Sequence, residues 1–145
     1  MYRHILIATD GSDLSAKALE AGLQLAMELR ARATVVTVTP PFHALSLAPS
    51  QAEYSASSYH EHAAAVAGGI LEAARARAEA AGLFCDTLQA VHDHPWQAII
   101  DTAQARGCDL ITMASHGRRG ATAILLGSET LRVLTHSSIP VLVYR

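Results

Sequence analysis

The chain has 145 residues, a length that favours a single domain spanning 1–145 and permits a hydrophobic core without disulfide staples. Half of it is apolar and 17% is charged, which excludes a disordered chain, and no apolar run reaches the roughly 20 residues of a membrane span. Eleven basic against thirteen acidic side chains leave a net charge of -2, so neither nucleic acid nor a membrane surface is an expected partner.

Five short apolar or half-apolar runs alternate with four longer amphipathic ones. The first, Ile5-Leu6-Ile7-Ala8, follows the N-terminus with no leader-type segment, which makes the cytoplasm the expected compartment. It ends in Thr9-Asp10-Gly11-Ser12, a turn cluster with good helix caps. Leu19, Gly22, Leu23, Ala26, Met27 and Arg30 then recur at helical spacing. Residues 33–38 are β-branched and strand-like, and Pro40-Pro41 stops them. Residues 40–58 show no periodicity and read as an exposed connection.

An Ala-rich helix is expected from His60 onward, with Ala64, Ala67, Leu71, Ala74, Ala78 and Ala81 on one stripe and Gly82 as its stop. His60 and His62 read as its polar start, and Gly68-Gly69 in its middle costs about 1 kcal/mol per glycine relative to alanine. Residues 84–91 form a third strand, and His94-Pro95 open a helix carrying Trp96, Ile99, Ile100 and Ala103. A fourth strand lies within 109–115, and a helix near Ser128 carries Leu131 and Leu134. Ile139 to Tyr144 is the fifth strand. Cys85 and Cys108 have no CxxC spacing and are expected as buried free thiols.

This alternation predicts an α/β domain with an open, mostly parallel five-stranded sheet and helices on both faces. The first and fourth strands are continuous hydrophobes. The third is interrupted by Asp86, Thr87 and Gln89, and the fifth carries Pro140. Polar or proline-bearing strands belong at edges, which is compatible with the order 3-2-1-4-5. That order reverses between strands one and four, and open α/β sheets bind ligands at such a reversal. Ala8-Thr9-Asp10-Gly11-Ser12 and the stretch from Ala114-Ser115-His116-Gly117 to Gly127-Ser128 meet there. Glycines admit an anion to backbone N–H groups, and the helix near Ser128 adds its positive end. Asp10 suits a ribose hydroxyl or a magnesium ion. The arrangement fits a nucleotide.

At these residues the chain resembles the universal stress proteins over its whole length. The carrying segments are Ile5 to Ser12, Met113 to Ser128, and Ser138 to Val143. The ATP-binding branch of that family has the pattern G-x-x-G, nine residues, then G-[ST]. Gly117, the nine residues Arg118 to Leu126, and Gly127-Ser128 match it, while Ala114 stands at the first glycine. The resemblance implies a Rossmann-like fold, akin to the adenine-nucleotide alpha-hydrolases, that dimerises through its last strand and holds ATP with magnesium. It also implies that Asp10 meets the ribose or metal and that Val38 meets the adenine through its backbone. Gly117, Gly127 and Ser128 would meet the phosphates. The full expected nucleotide set is Ala8, Thr9, Asp10, Val38, Ala114, His116, Gly117, Arg118, Gly127, Ser128 and Glu129. If the position of Ala114 required positive φ, alanine there would cost about 1 kcal/mol or more.

Plainer duties compete with each assignment. Gly117 and Gly127 also serve turns, Ser128 an N-cap, Asp10 a strand-end cap, and Arg118 and Arg119 a solvated loop. His92 and His94 would share a face on a strand, but no third metal ligand is in view. No G-x-S-x-G, H-E-x-x-H or G-x-x-x-x-G-K-[ST] motif occurs, and the lone Lys17 lies far from the glycine loop. A receiver domain would need an acidic pair and a terminal lysine that are missing. A flavodoxin would need a Ser/Thr-rich loop after strand one. The expected function is therefore an ATP-binding, non-catalytic regulatory module of the stress response, at most a slow ATPase, with a protein partner. The alternative is a nucleotide-independent dimer working through protein contacts.

Overall fold

The computed structural model describes residues 1–43, 49–117 and 125–145. The order is β1 (His4–Ala8), α1 (Asp13–Leu29), β2 (Arg32–Thr39), α2 (Pro49–Ala80), β3 (Cys85–Val91), α3 (Pro95–Ala105), β4 (Leu110–Ala114), α4 (Ser128–His136) and β5 (Val141–Tyr144). The five strands make one sheet in the order β3-β2-β1-β4-β5, with every pairing parallel. The expected order is the observed one. Every residue of β1 and β4 is buried, as central strands covered on both faces must be, while no residue of β5 is.

Alternation along the strands sorts the core into two layers. Ile5, Ile7 and Val35 pack beneath Leu19, Leu23 and Ala26 of α1 and Ala74 and Ala78 of α2. Leu6, Val36, Ile111 and Met113 face the other way, against Ile99, Ile100 and Ala103 of α3 and Val133 of α4. The sheet is thus covered on both sides, a Rossmann-like arrangement. No described helix is long and apolar enough to cross a membrane.

Several local expectations are corrected. The second helix begins at Pro49, so 49–58 is helical rather than loop, and His60 and His62 lie well inside it. Its first half has no apolar stripe because that half faces solvent. Helix propagates into it from the packed half, where Ala67, Ala74 and Ala78 are buried. Gly68 and Gly69 interrupt nothing, since both are exposed with open space around them. Ala64 and Ala81 fall outside the buried stripe. In α1, Met27 is partly exposed and Arg30 is the left-handed C-cap, not a core position. In α4 the buried face is Thr130 and Val133, and Leu131 and Leu134 point outward. His92 and His94 follow the end of β3 rather than sharing a strand face, and His94 is the N-cap of α3. Among the described residues no group of three or more His, Cys, Asp or Glu could hold a metal.

Cys85 and Cys108 are buried free thiols as expected, and burial pushes the Cys108 thiol up to about 11, so it stays protonated. The start of β1 is tied to β4 by the Asp109 carboxylate, which accepts from the N–H groups of Arg3 and His4 at 2.9–3.0 Å. Burial pushes that carboxyl up, but the backbone donors outweigh it and hold it below its ordinary value.

Two stability predictions arise here. Burial and then the Arg32 charge lower the His4 imidazole, whose Nε2 lies 2.8 Å from Thr34 Oγ1. The unfolded chain takes up a proton near the ordinary imidazole value of 6.5, while the folded one does so only at lower pH. His4 therefore contributes full stability above that pH and loses it as pH falls through the lowered folded value. Urea unfolding at about pH 7.5 and about pH 5.5 should show a smaller acid loss for His4→Gln than for the wild type. Thr112 Oγ1 is buried without a partner among the described residues. Thr112→Val removes an unsatisfied hydroxyl at equal shape and should raise unfolding free energy by about 1 kcal/mol, measured by the same method.

Candidate functional site

The cleft sits where the sheet order reverses, beyond the C-terminal ends of β1 and β4. After β1, the Thr9 N–H donates to the Val36 carbonyl at 3.0 Å, extending the parallel ladder with β2 by one bond before the chain turns. Asp10 Oδ1 then accepts from the Ser12 N–H at 2.9 Å, and Ser12 Oγ caps α1 through the Ser15 N–H at 3.3 Å. The Asp10 side chain is thereby fixed at the mouth of the reversal. Gly117 backs it from the other loop. A Cβ on Gly117 would collide with Asp10 Oδ2, so the carboxylate lies directly against the Gly117 backbone and a side chain there would have to push it aside.

The segment after β4 positions α4. The Gly127 N–H donates to the Ser115 carbonyl at 2.8 Å, and Thr130 Oγ1 donates to the buried Ala114 carbonyl at 2.9 Å. A Cβ on Gly127 would lie 3.2 Å from His116 Cα and 3.3 Å from Ser115 O, so this approach is also tight. Gly127 is the N-cap of α4 and supplies no side-chain bond, and Ser128 is the first helical residue rather than the cap. The first N–H groups of α4 have no partner within their own helix and open on the cleft.

Two compartments share Asp10, Pro95, His116, Gly117, Glu129 and Thr130 and form one cleft. The inner one, about 190 Å³, is walled by Ala8, Val36, Val38, Ile99, Met113 and Ala114. It is mainly apolar and suits a flat ring. The outer one, about 500 Å³, adds His92, Asp93, Gly127 and Ser128. Of the eleven residues expected from sequence, ten line this cleft: Ala8, Thr9, Asp10, Val38, Ala114, His116, Gly117, Gly127, Ser128 and Glu129. Arg118, like Arg119, lies outside the described residues. Ala114 ends β4 in extended backbone, and among described non-glycine residues only Arg30 has positive φ. Alanine therefore costs no backbone strain at that position, and its methyl adds to the inner wall.

Sequence reasoning missed the walls contributed by Val36, Pro95, Ile99, Met113 and Thr130. The signal was available in part, because the order 3-2-1-4-5 aims the start of the His94-Pro95 helix at the same crevice. Glu129 makes that link: its Oε2 accepts from the Trp96 N–H at 2.8 Å, joining the N-terminal turns of α3 and α4. The described lining residues include the carboxylates of Asp10, Asp93 and Glu129 and the imidazoles of His92 and His116, but no lysine or arginine.

Fold and cleft together define a doubly wound α/β domain with a ligand crevice at its topological switch point. The model of the universal stress protein family matches residues 1–145, and the chain belongs to that family. Universal stress protein YxiE of Bacillus subtilis is 31% identical, with both chains covered completely. The solved structure of protein MJ0577, a universal stress protein of Methanocaldococcus jannaschii, superposes with a TM-score of 0.84 at 26% identity, covering 99% of this chain and 96% of that one. A universal stress protein crystallised in complex with cAMP superposes with a TM-score of 0.69 at 27% identity, covering 99% and 97%.

Proposed function

We propose that this chain is an ATP-binding regulatory module of the cytoplasmic stress response, without catalysis or with very slow hydrolysis. One observation carries the reading. At the switch point, the glycine-backed Asp10 and the open N-terminus of α4 converge beside an apolar compartment of about 190 Å³. Adenine would enter that compartment against Val38, Ile99 and Met113, with Asp10 at the ribose. The phosphates would lie along Gly117, Gly127 and Ser128, where backbone N–H groups and the helix end favour anions. The relative crystallised with cAMP supports an adenine nucleotide as the class of ligand. Magnesium would reach the site with the phosphates, since such ions are commonly held by one or two carboxylates plus phosphate oxygens, and Asp10 would be its carboxylate.

The test is direct. Mg-ATP should bind with a Kd on the order of 1–100 μM by calorimetry, and acid extraction of freshly purified protein should release an adenine nucleotide. No heat and no thermal shift in millimolar Mg-ATP would leave the second reading, a nucleotide-independent dimer acting on a protein partner. The dimer itself belongs to both readings. Among the described residues β5 pairs only with β4, and Leu142 and Tyr144, on one face of it, are 49% and 39% exposed. Such an edge invites two-fold pairing with its own copy. Sedimentation as a monomer at tens of micromolar would overturn the dimer, and phosphate release that exceeds background and disappears in a Gly127 variant would overturn the absence of turnover.

A further inference from the structure

We propose that His92 is a binding residue for the phosphate end of the ligand, donating a hydrogen bond from its Nε2–H into the outer compartment. This rests on the nucleotide reading of the cleft and adds to it a residue from the β3 side. His92 directly follows β3 and lines the outer compartment, not the inner one. Two bonds hold it. Its N–H donates to the Thr39 carbonyl at the end of β2 at 3.0 Å, and its Nδ1 accepts from the His94 N–H at 2.8 Å. The first bond fixes the residue to the sheet and the second fixes the ring. A neutral imidazole has one donor and one acceptor nitrogen, so with Nδ1 accepting, the proton sits on Nε2. Among the described residues no acceptor takes that Nε2–H.

The surrounding frame is stitched as well. Asp93 Oδ1 pairs with His43 Nε2, and the Pro40 carbonyl accepts from the Tyr59 hydroxyl at 2.8 Å. These bonds tie the chain after β2 to the loop before α3 and give the Asp93 carboxylate its own partner. The His92 donor is therefore ordered before any ligand arrives, which lowers the entropic cost of using it. A phosphate oxygen is the acceptor that gains most from such a donor, because the bond is charge-assisted. Gly117, Gly127 and Ser128 line the same compartment from the β4 and α4 side. The phosphates are thus held from both sides, by backbone N–H groups on one and by the imidazole on the other. A ligand that ends at the ribose has nothing to offer His92.

The experiment compares wild type and His92→Asn against adenosine and Mg-ATP, by calorimetry and by NMR titration where binding is weak. Asparagine keeps an oxygen that accepts from the N–H two residues on, so the turn survives while the Nε2 donor is lost. Mg-ATP affinity should fall by about tenfold, and adenosine affinity should stay within about twofold of wild type. A second arm reads the wild-type imidazole directly, in long-range proton–nitrogen spectra at about pH 8, where an ordinary histidine is neutral. His92 should show a protonated Nε2 and a bare Nδ1, and saturating Mg-ATP should shift its Nε2 signal while adenosine leaves it in place. Equal losses for the two ligands, no loss for Mg-ATP, or a ring signal that Mg-ATP does not move overturns the proposal. A merely structural role would lower both affinities together. Absence of adenosine and Mg-ATP binding in the wild type overturns the cleft reading itself, and the two failures are thereby distinct.

Discussion

Gly127→Asp is expected to weaken ATP binding by at least about a hundredfold, roughly 3 kcal/mol, while leaving the domain folded. The two halves of that result have one cause. Gly127 is an N-cap without a side-chain bond, at φ -62, which any residue adopts. Aspartate is among the best N-caps, worth about 1 kcal/mol, and its carboxylate would accept from the first N–H groups of α4. Those are the donors assigned to the phosphates, so the cap replaces the ligand and repels it. A few tenths of an ångström must be found against His116 Cα and Ser115 O, which lie 3.2 and 3.3 Å from the new Cβ. That strain offsets the capping gain, and stability should stay within about 1 kcal/mol of wild type. Calorimetry with Mg-ATP and urea unfolding on the same preparation check both. Gly127→Ala serves as the control, bringing the methyl without the charge. Wild-type affinity in the aspartate variant would remove the α4 terminus from the site.

The largest effect on folding is expected from Gly22→Leu, a loss of about 3 kcal/mol or more. Gly22 is buried on the face of α1 that crosses the two central strands. A Cβ there would lie 2.9 Å from Thr112 Oγ1 of β4 and 3.0 Å from Ile7 Cδ1 of β1. Leucine beyond that Cβ has nowhere to go unless α1 lifts from the sheet. Since small domains keep only about 5–15 kcal/mol in total, such a variant should be substantially destabilised at physiological temperature. Gly22→Ala should lose far less, because helix propensity returns about 1 kcal/mol against the tighter contact. Thermal and urea unfolding measure both. Because Ser12 caps α1 beside Asp10, lifting the helix also disturbs the cleft, so any residual nucleotide affinity should fall with stability. A leucine variant as stable as wild type would contradict the close packing of α1 on β1 and β4.

The pair Gly22 and Thr112 shows why some of this was invisible in the sequence. Gly22 belongs to the apolar periodicity of α1, and a glycine in a helix reads as a mild defect. Only the packing turns it into the contact that sets how closely helix and sheet approach. Ala114 shows the converse. As a departure from a glycine pattern it would have carried backbone strain had the position needed positive φ, and the extended conformation at the end of β4 removes that concern.

The α/β alternation, the strand order and the position of the crevice were all determined by the sequence itself. Continuous hydrophobicity marks a strand covered on both faces, and polar interruptions or proline mark an edge, so burial writes the topology into composition. Ala8 to Asp10, Ala114, His116, Gly117, Gly127 and Ser128 followed from that topology and the glycine spacing, while Val38 and Glu129 came only with the family resemblance. The tertiary structure alone decided the rest. Helix α2 extends back to Pro49 because propagation from a packed half needs no apolar stripe of its own. The inner wall draws Ile99 from α3 and Met113 from β4 because their shared face exists only once α3 lies on the sheet. Glu129 reaches Trp96, 33 residues away in sequence. No local pattern encodes such a bond, since its partners are brought together by two helices docking side by side on the same face of the sheet.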